Sequence, residues 1–387
     1  MKLLYTCAVD LRNFDAQRTH IVEMMRILHE SGHDVQLILP QFGDHPVKLP
    51  FPNHPIPVRL GNSRLKFVEY EIRLLRVLWQ ICRRRRPDVL YTRKGFLTLC
   101  PNWVGKLLGI RSVVEVNGIV ADEVGEAFGL PPLLRRFFAK MEKVCCRGAD
   151  HLVAVTPGLK DLLRERYRVS AENITVVPNG VNTRMFVPGQ RVGKSDKTLG
   201  FVGNLVRWAG VEVLIKALPA ISESHPEVRC LIVGDGLERE NLTRLAADLG
   251  VADRVIFTGK VPPPEVPALI ATCDICYVPA IPGRNSRIGG SSLKLYEYMA
   301  CGIATVVSDI PGLNIVGSEG VGRVVPAGDA AALAAASLDL LACRENLREM
   351  GARARRLAER QFSWHRATRE VLAVCGGFQT IEADLLT

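Results

Sequence analysis

Residues 287–302 read Arg287-Ile288-Gly289-Gly290-Ser291-Ser292-Leu293-Lys294-Leu295-Tyr296-Glu297-Tyr298-Met299-Ala300-Cys301-Gly302. A short apolar run, Ile275–Val278, precedes them, so the chain passes from a buried strand through a Gly/Ser loop into a helix. Glycine lets backbone approach a ligand closely, and the free N–H groups at the positive end of a helix favour a diphosphate. Ser291 or Ser292 can cap that helix or donate to a phosphate oxygen. Lys294 adds a full positive charge one residue into the helix. Glu297 lies one turn further in, where a carboxylate can accept two ribose hydroxyls. Taken alone, the stretch also fits an ordinary capped helix whose Lys and Glu face water.

The same strand-to-glycine pattern recurs upstream. Phe201-Val202-Gly203-Asn204-Leu205 ends a strand in a glycine turn, and Trp208-Ala209-Gly210 opens the next helix. Ile232-Val233-Gly234-Asp235-Gly236 and Phe257-Thr258-Gly259-Lys260-Val261 repeat it. Glycine after a strand is routine punctuation. Three such turns and the 287–302 loop, all at one end of one sheet, are harder to explain blandly.

Apolar runs at Thr198–Val202, Arg229–Val233, Arg254–Thr258, Ile275–Val278 and Thr305–Val307 alternate here with helix-length amphipathic segments. The first half does likewise, with runs at Leu3–Ala8, Val35–Leu39, Val89–Tyr91, Ser112–Val116, Leu152–Val155 and Ile174–Val177. Helical periodicity separates most of them, as at Ile21–Glu30, Phe67–Arg86 and Leu133–Arg147. Short buried runs alternating with helices predict an α/β chain of two Rossmann-like, doubly wound parallel-sheet domains. A polar stretch from Asn182 to Lys197 reads as the linker, giving domains at 1–182 and 183–361. In such sheets ligands bind outside the carboxyl ends of the strands.

The chain of 387 residues suits two domains at roughly 100–200 residues each. Its net charge of +10 points to an anionic partner. The densest basic run, Arg83 to Arg86, closes a helical segment. It fits either a solvated C-terminus favoured by the helix dipole or a contact with anionic lipid head groups. No aromatic-rich basic stripe or nucleic-acid module is present, which argues against nucleic acid as a partner. The 11 cysteines, odd in number and irregular in spacing, read as reduced, buried thiols of a cytosolic protein rather than a disulfide framework or zinc site. The N-terminal apolar run is too short for a signal peptide, and no uncharged apolar stretch is long enough to span a membrane. Cytoplasmic placement is therefore expected, with any contact at the inner face of the cytoplasmic membrane peripheral. Residues 130–140, mixing Leu, Phe, Arg and Lys, offer either scaffold packing or docking to a membrane that holds a lipid-linked acceptor.

These motifs, in this order, resemble the GT4 family of retaining glycosyltransferases with the GT-B fold, in which two Rossmann-like domains face a central cleft. The resemblance runs through FVGNLVRWAGVEVLIKAL, LIVGDG, RVIFTGKVP, CDICYVP, LKLYEYMACG and VVSDIPG in the second half. In the first half it runs through residues 31–35, VVEVNG (113–118), AVTPGLKDLL (154–163) and VVPNGVNTRMF (176–186). Phe362-Ser363-Trp364 resembles the start of the closing helix, 362–387, that returns to the N-terminal domain.

The resemblance implies a nucleotide-sugar donor, UDP- or GDP-linked, on the second domain and a glycan or lipid-linked acceptor on the first. Glu297 matches the ribose-holding glutamate, and Gly289, Gly290, Ser291, Ser292 and Leu293 match the cradle for the diphosphate and donor sugar. Gly259, Lys260 and Val261 would lie beside the base, with Gly203 and Gly234 completing the donor side. Asn117, before Gly118, takes the place of a histidine that many members present to the donor sugar, and His20 matches a histidine after the N-terminal glycine loop. Asn117, Lys294 and Glu297 are thus the expected catalytic groups, with no cofactor and no metal.

Three departures stand out. The family's E-x7-E pair keeps only Glu297, because Gly289 holds the first position. Basic residues usual at the positions of Asn204 and Ala209 are missing, leaving Arg207, Arg287 or Lys294 to face the diphosphate. The N-terminal glycine loop is replaced by Asp15-Ala16-Gln17-Arg18-Thr19. On the acceptor side the expected groups are Asp15, Arg18 and His20, together with Arg93 and Lys94 after the Val89–Tyr91 strand, where they can meet an acceptor phosphate. Asp15 and Glu115 also fit surface or turn carboxylates.

Two further readings stay open: a catalytically silent relative that partners an active enzyme, and another GT-B enzyme such as a sugar-nucleotide epimerase or a phosphorylase. A dehydrogenase is disfavoured, since Ala8-Val9-Asp10-Leu11-Arg12 follows the first strand in place of G-x-G-x-x-G.

Overall fold

The computed structural model describes residues 1–60, 65–95, 97–120, 122, 131–189 and 197–377. The chain forms two compact units, Met1–Pro178 with Trp364–Thr387, and Asn179–Ser363.

In the first unit β1 (Lys2–Thr6), α1 (Ala16–Glu30), β2 (Asp34–Phe42), β3 (Asn53–Val58), α2 (Lys66–Arg85) and β4 (Val89–Arg93) lead into α3 (Cys100–Leu108). β5 (Arg111–Val116), α4 (Pro132–Gly148), β6 (His151–Ala154), α5 (Pro157–Tyr167) and β7 (Ile174–Val176) complete the sheet. All strands run parallel in the order β3-β2-β1-β4-β5-β6-β7. The order reverses between β1 and β4, which makes the loops after these strands the switch point of this sheet.

The helices form two layers, as right-handed crossovers require. α2, α3, α4 and α5 touch one another in that order. α1 packs against the closing helix α14 (Trp364–Cys375, labelled here in chain order).

The second unit repeats the plan. β8 (Thr198–Val202), α6 (Val211–Ser224), β9 (Arg229–Val233), α7 (Arg239–Asp248), β10 (Val255–Gly259), α8 (Val266–Ala271) and β11 (Ile275–Val278) come first. They are followed by α9 (Arg284–Ile288), α10 (Leu293–Ala300), β12 (Ala304–Ser308), α11 (Ile315–Ser318), β13 (Gly322–Val325), α12 (Ala330–Leu341) and α13 (Arg344–Gln361). The parallel order is β10-β9-β8-β11-β12-β13, so its switch point lies between β8 and β11. Two apolar cores cover the two faces of this sheet, one built on α6 and α12, the other on α10 and α13. Every residue of β11 and β12 is buried, as strands covered on both faces demand.

β3 and β13 were not expected from the sequence. Both are edge strands. Edges tolerate Pro55 and Pro57 of β3, because a missing N–H there faces no partner strand. The stretch read as a linker is partly structural. Phe186 is buried, Val181 pairs with Ser363, and Arg355 donates to the carbonyls of Thr183, Phe186 and Ala300. Residues 179–189 therefore belong to the packed second unit, whereas 190–196 lie outside the described residues.

All 11 cysteines are free, and only Cys343 is not buried. Cys273 and Cys276 have C-x-x-C spacing, but both sit against Gly200, where a Cβ would meet their sulfurs at 2.4 and 3.0 Å. They fill core space. Among the described residues no helix is long and apolar enough to cross a membrane.

Candidate functional site

The glycine turns of the second unit meet at the carboxyl ends of β8, β9 and β10. The Gly203 amide donates to Val233 O at 2.9 Å, and the Gly234 amide donates to Gly259 O at 2.9 Å. A Cβ on Gly234, whose φ is 132°, would stand 2.1 Å from Gly203 O. Only glycine lets these backbones come so close. The 289–292 loop is tied down separately. Gly290 N donates to Pro311 O at 2.8 Å, and Ser291 Oγ accepts from Asn179 N at 2.8 Å while Ser291 O accepts from Asn179 Nδ2.

These bonds revise the roles of the two serines. Ser291 braces the loop against Asn179 instead of capping the helix. Ser292 is the N-cap of α10 by position but makes no side-chain cap bond, so the first amides of α10 keep their donors. Asn179 was visible only as part of the VVPNG motif, with nothing in the sequence to indicate this partner.

Lys294 is the second residue of α10. Its Nζ lies 4.1 Å from the centre of the buried Phe201 ring, and a Cβ on Gly203 would touch it at 2.7 Å. It thus stands at the β8–β11 switch point, beside the first glycine turn. Glu297 follows one turn later. Among the described residues neither side chain makes a hydrogen bond or ion pair, though each feels the other's charge. Burial pushes the Glu297 carboxyl up to about 7, against the pull of Lys294. Burial likewise pushes the Lys294 ammonium down to about 8, against the pull of Glu297. A half-buried cation, a half-buried acid and an uncapped helix N-terminus suit the diphosphate and ribose of a nucleotide.

The remaining donor-side residues frame this spot less closely. Asn204, Arg207, Lys260 and Arg287 are exposed, and Val261 is half-buried. Gly289 is buried with φ 72°, and a Cβ there would lie 2.9 Å from Pro311 O.

In the first unit the acceptor-side residues gather round a carboxylate. Glu115, at 1% exposure, is the next-to-last residue of β5. Its Oε2 accepts from Tyr91 Oη at 2.8 Å and lies 2.9 Å from His20 Nε2. Its Oε1 accepts from Arg93 Nη1 at 2.7 Å and from Asn117 Nδ2. Burial opposes ionisation of Glu115, but His20 first, then Arg93 and Asn117, outweigh it and hold the carboxyl at about 2. The buried His20 ring also meets Trp364 edge-on at 4.9 Å. Trp364, of the FSW motif, is buried in this unit, whereas Phe362 stacks on Tyr296 in the other at 4.2 Å.

Arg93 and Lys94 do not present free charge to an acceptor. Arg93 is neutralised by Glu115. Lys94 is buried against Glu142, a carboxylate that also accepts from Val120 N at 3.0 Å and Tyr167 Oη at 2.8 Å. Glu142 and Tyr91 escaped sequence reading because nothing local marks a helical Glu or a strand Tyr as a partner. Asp15 is the N-cap of α1, accepting from the amides of Gln17 and Arg18 at 3.0 Å. Arg18 bonds to Leu11 O and stacks over Phe14 at 4.3 Å. Asp15 and Arg18 thus organise the loop after β1.

Asn117 belongs to the first unit, and Lys294 and Glu297 belong to the second. No cluster of three or more metal-ligating side chains occurs among the described residues.

Two parallel Rossmann-like sheets, each with its polar residues at the switch point, define a GT-B fold. Solved structures agree. Sucrose-phosphate synthase from Thermosynechococcus elongatus superposes with a TM-score of 0.79 at 20% identity, covering 97% of this chain and 99% of that one. Anabaena Alr3699/HepE in complex with UDP gives 0.76 at 16% identity, covering 98% and 100%. Residues 17–184 match the family described as Glycosyltransferase Family 4, and residues 187–357 match Glycosyl transferases group 1. The chain belongs to this GT4-type family of glycosyltransferases.

Among curated relatives, a D-inositol 3-phosphate glycosyltransferase of Segniliparus rotundus is 30% identical over 238 residues, 58% of this chain and 51% of that one. A GDP-mannose-dependent alpha-(1-6)-phosphatidylinositol monomannoside mannosyltransferase of Mycolicibacterium smegmatis is 33% identical over 199 residues, 49% of this chain and 52% of that one. The chain spans about half the length of these relatives.

Proposed function

We propose that the chain transfers a sugar from a UDP- or GDP-sugar to a hydroxyl of a glycan or lipid-linked acceptor, with retention and without a metal ion, at the inner face of the cytoplasmic membrane. Lys294 carries the reading: a half-buried cation with, among the described residues, no carboxylate at bonding distance, beside the Gly203 turn and at the N-terminus of α10. Such a group lowers the energy of a diphosphate leaving group, and preorganised donors of this kind contribute ~3 kcal/mol each. The first amides of α10 share the load, and Glu297 accepts the ribose hydroxyls. The names of the relatives support the substrate classes, one naming GDP-mannose and a phosphatidylinositol mannoside, while HepE was solved with UDP.

In the proposed reaction the bond from the anomeric carbon to the diphosphate breaks as the bond to the acceptor oxygen forms on the same face. The acceptor's proton passes to the departing phosphate oxygen, giving a nucleoside diphosphate and the glycosylated acceptor. Asn117 donates its amide N–H to Glu115, which fixes the orientation of its side chain.

Thermal stabilisation by UDP, GDP, ADP and TDP, each with and without magnesium, tests the donor site. A ligand at 100 times its dissociation constant adds about 2.7 kcal/mol of stability. One nucleotide should stabilise the wild type regardless of magnesium and fail to stabilise Glu297→Gln. Stabilisation by none at millimolar concentration favours the second reading, a silent partner protein, which the missing acid at Gly289 supports. An inverted anomer in the fresh product, read by NMR, would remove retention.

A further inference from the structure

α2 carries apolar side chains beyond its buried face. Tyr70, Leu74, Leu78 and Cys82 are buried in the core of the first unit. Beside that face Val68, Ile72, Leu75 and Trp79 are exposed, at 40, 58, 39 and 36%. Their spacing puts all four on one stripe. The neighbouring helix α3 exposes Trp103 at 52% and Leu107 at 73%. A helix facing only water would carry polar groups here.

The charge around this stripe is one-sided. α2, α3 and α4 together hold 12 basic and three acidic residues. All three acids are committed. Glu69 accepts from the amides of Arg59 and Leu60 and pairs with Arg73, Glu71 accepts from the amides of Leu99 and Cys100, and Glu142 holds Lys94. Arg76, Arg83 and Arg84 stay exposed, and the Arg83 guanidinium lies 5.4 Å from the Trp79 ring.

We infer that the outer face of α2 and α3 docks on a bilayer whose surface carries anionic phospholipid head groups. The apolar stripe would enter the boundary between head groups and acyl chains, with tryptophans at the depth they favour and the arginines at the phosphates. A second copy of the chain is the poorer fit, since it would set arginine against arginine with no free acid on these three helices to pair. The inference rests on the membrane-held acceptor proposed above and names the face that brings the enzyme to it.

Flotation of the full chain with vesicles tests this. Wild type should float with a phosphatidylcholine–phosphatidylglycerol mixture and stay behind with phosphatidylcholine alone. Ile72→Ser with Trp79→Ser should lower binding at least tenfold. Arg76→Gln, Arg83→Gln and Arg84→Gln together should lower it severalfold and remove its salt dependence. Brominated lipid should quench wild-type tryptophan emission and lose much of that effect in Trp79→Ser. Failure of wild type to float, or flotation unchanged in the Ile72/Trp79 variant, overturns the inference. Self-association of wild type that the Ile72/Trp79 variant abolishes would also overturn it, assigning the stripe to a second copy. Glu297→Gln should float like wild type, and the α2 variants should still be stabilised by nucleotide. Loss of the docking face and loss of the glycosyl-transfer reading therefore give different results.

Discussion

Replacing Glu115 with glutamine tests whether the carboxylate hub holds the first unit together. The wild-type carboxylate takes four polar neighbours, two on each oxygen. A glutamine has one acceptor oxygen and turns an N–H2 toward the other pair. The buried Arg93, 7% exposed, also loses its counter-charge. Two routes give the size of the effect. Glu115 titrates at about 2 in the fold. An unfolded glutamate titrates at about 4.3, so the hub contributes roughly 3 kcal/mol at neutral pH. Removing one partner of a buried pair costs about 3–5 kcal/mol, which agrees.

The sign follows from the lowered value. This stability is fully present above the unfolded value and is lost as pH falls through the folded one. The difference between wild type and Glu115→Gln should therefore be constant through the neutral range and shrink below about pH 4.

Tryptophan emission during urea unfolding reads the change. Trp79, Trp103 and Trp364 lie in the first unit and Trp208 in the second, so a Trp208→Phe background isolates the first. At about 2 kcal/mol per molar urea, the midpoint should fall by about 1.5 M. A fall below about 0.5 M, or a difference that persists undiminished in acid, would refute the hub as an energetic centre.

Nucleoside diphosphate affinity should be bell-shaped in pH, because the site needs Glu297 ionised, above about 7, and Lys294 charged, below about 8. Lys294→Arg should remove the alkaline limb in calorimetric titrations and leave the acid limb in place. Gly289→Glu should weaken nucleotide binding and destabilise the second unit by about 1–3 kcal/mol, since φ there is 72° and the new Cβ would crowd Pro311 O. Equal or tighter binding in that variant would contradict the role given to this position.

What could be read from the sequence was local. The glycine turns, Lys294 and Glu297 each sit within a few residues of the strand end or helix start that gives them meaning, and the alternation of apolar runs placed those ends on one sheet edge. The residues expected on the acceptor side were read without their partners. His20 was expected at the start of the first long helix, and Arg93 and Lys94 after the Val89–Tyr91 strand as ligands of an acceptor phosphate, yet in the fold Arg93 pairs with Glu115, Lys94 with Glu142, and His20 lies beside Glu115. Their actual partners, Glu115 and Glu142, lie far away along the chain. Sequence spacing carries no record of such a pairing, because it depends on which side chains two distant elements turn toward the same point. Asp15 shows the same limit in miniature. Its carboxylate looked like an acceptor ligand, and it is a helix cap, a role that the short offset to Gln17 and Arg18 could have suggested.

The departures from the family pattern make more sense together than singly. If the 289–293 loop cradles a diphosphate as proposed, Gly289 removes an acid from it, and Asn204 and Ala209 stand where the family pattern has bases. A site that had lost only the bases would turn a carboxylate toward a dianionic phosphate with little to offset it. Losing the acid as well restores part of the balance. The left-handed backbone at 289, with the next amide bonded to Pro311 O, builds the change into the loop itself. What remains is one half-buried cation, Lys294, at a helix N-terminus whose first amides are uncapped. Its charge is held down by burial and only partly restored by Glu297. An incoming diphosphate would supply the missing counter-charge, so donor binding and protonation of Lys294 should reinforce each other. Under the proposed reading, that coupling would help a site with so few charged groups hold a nucleotide sugar at neutral pH.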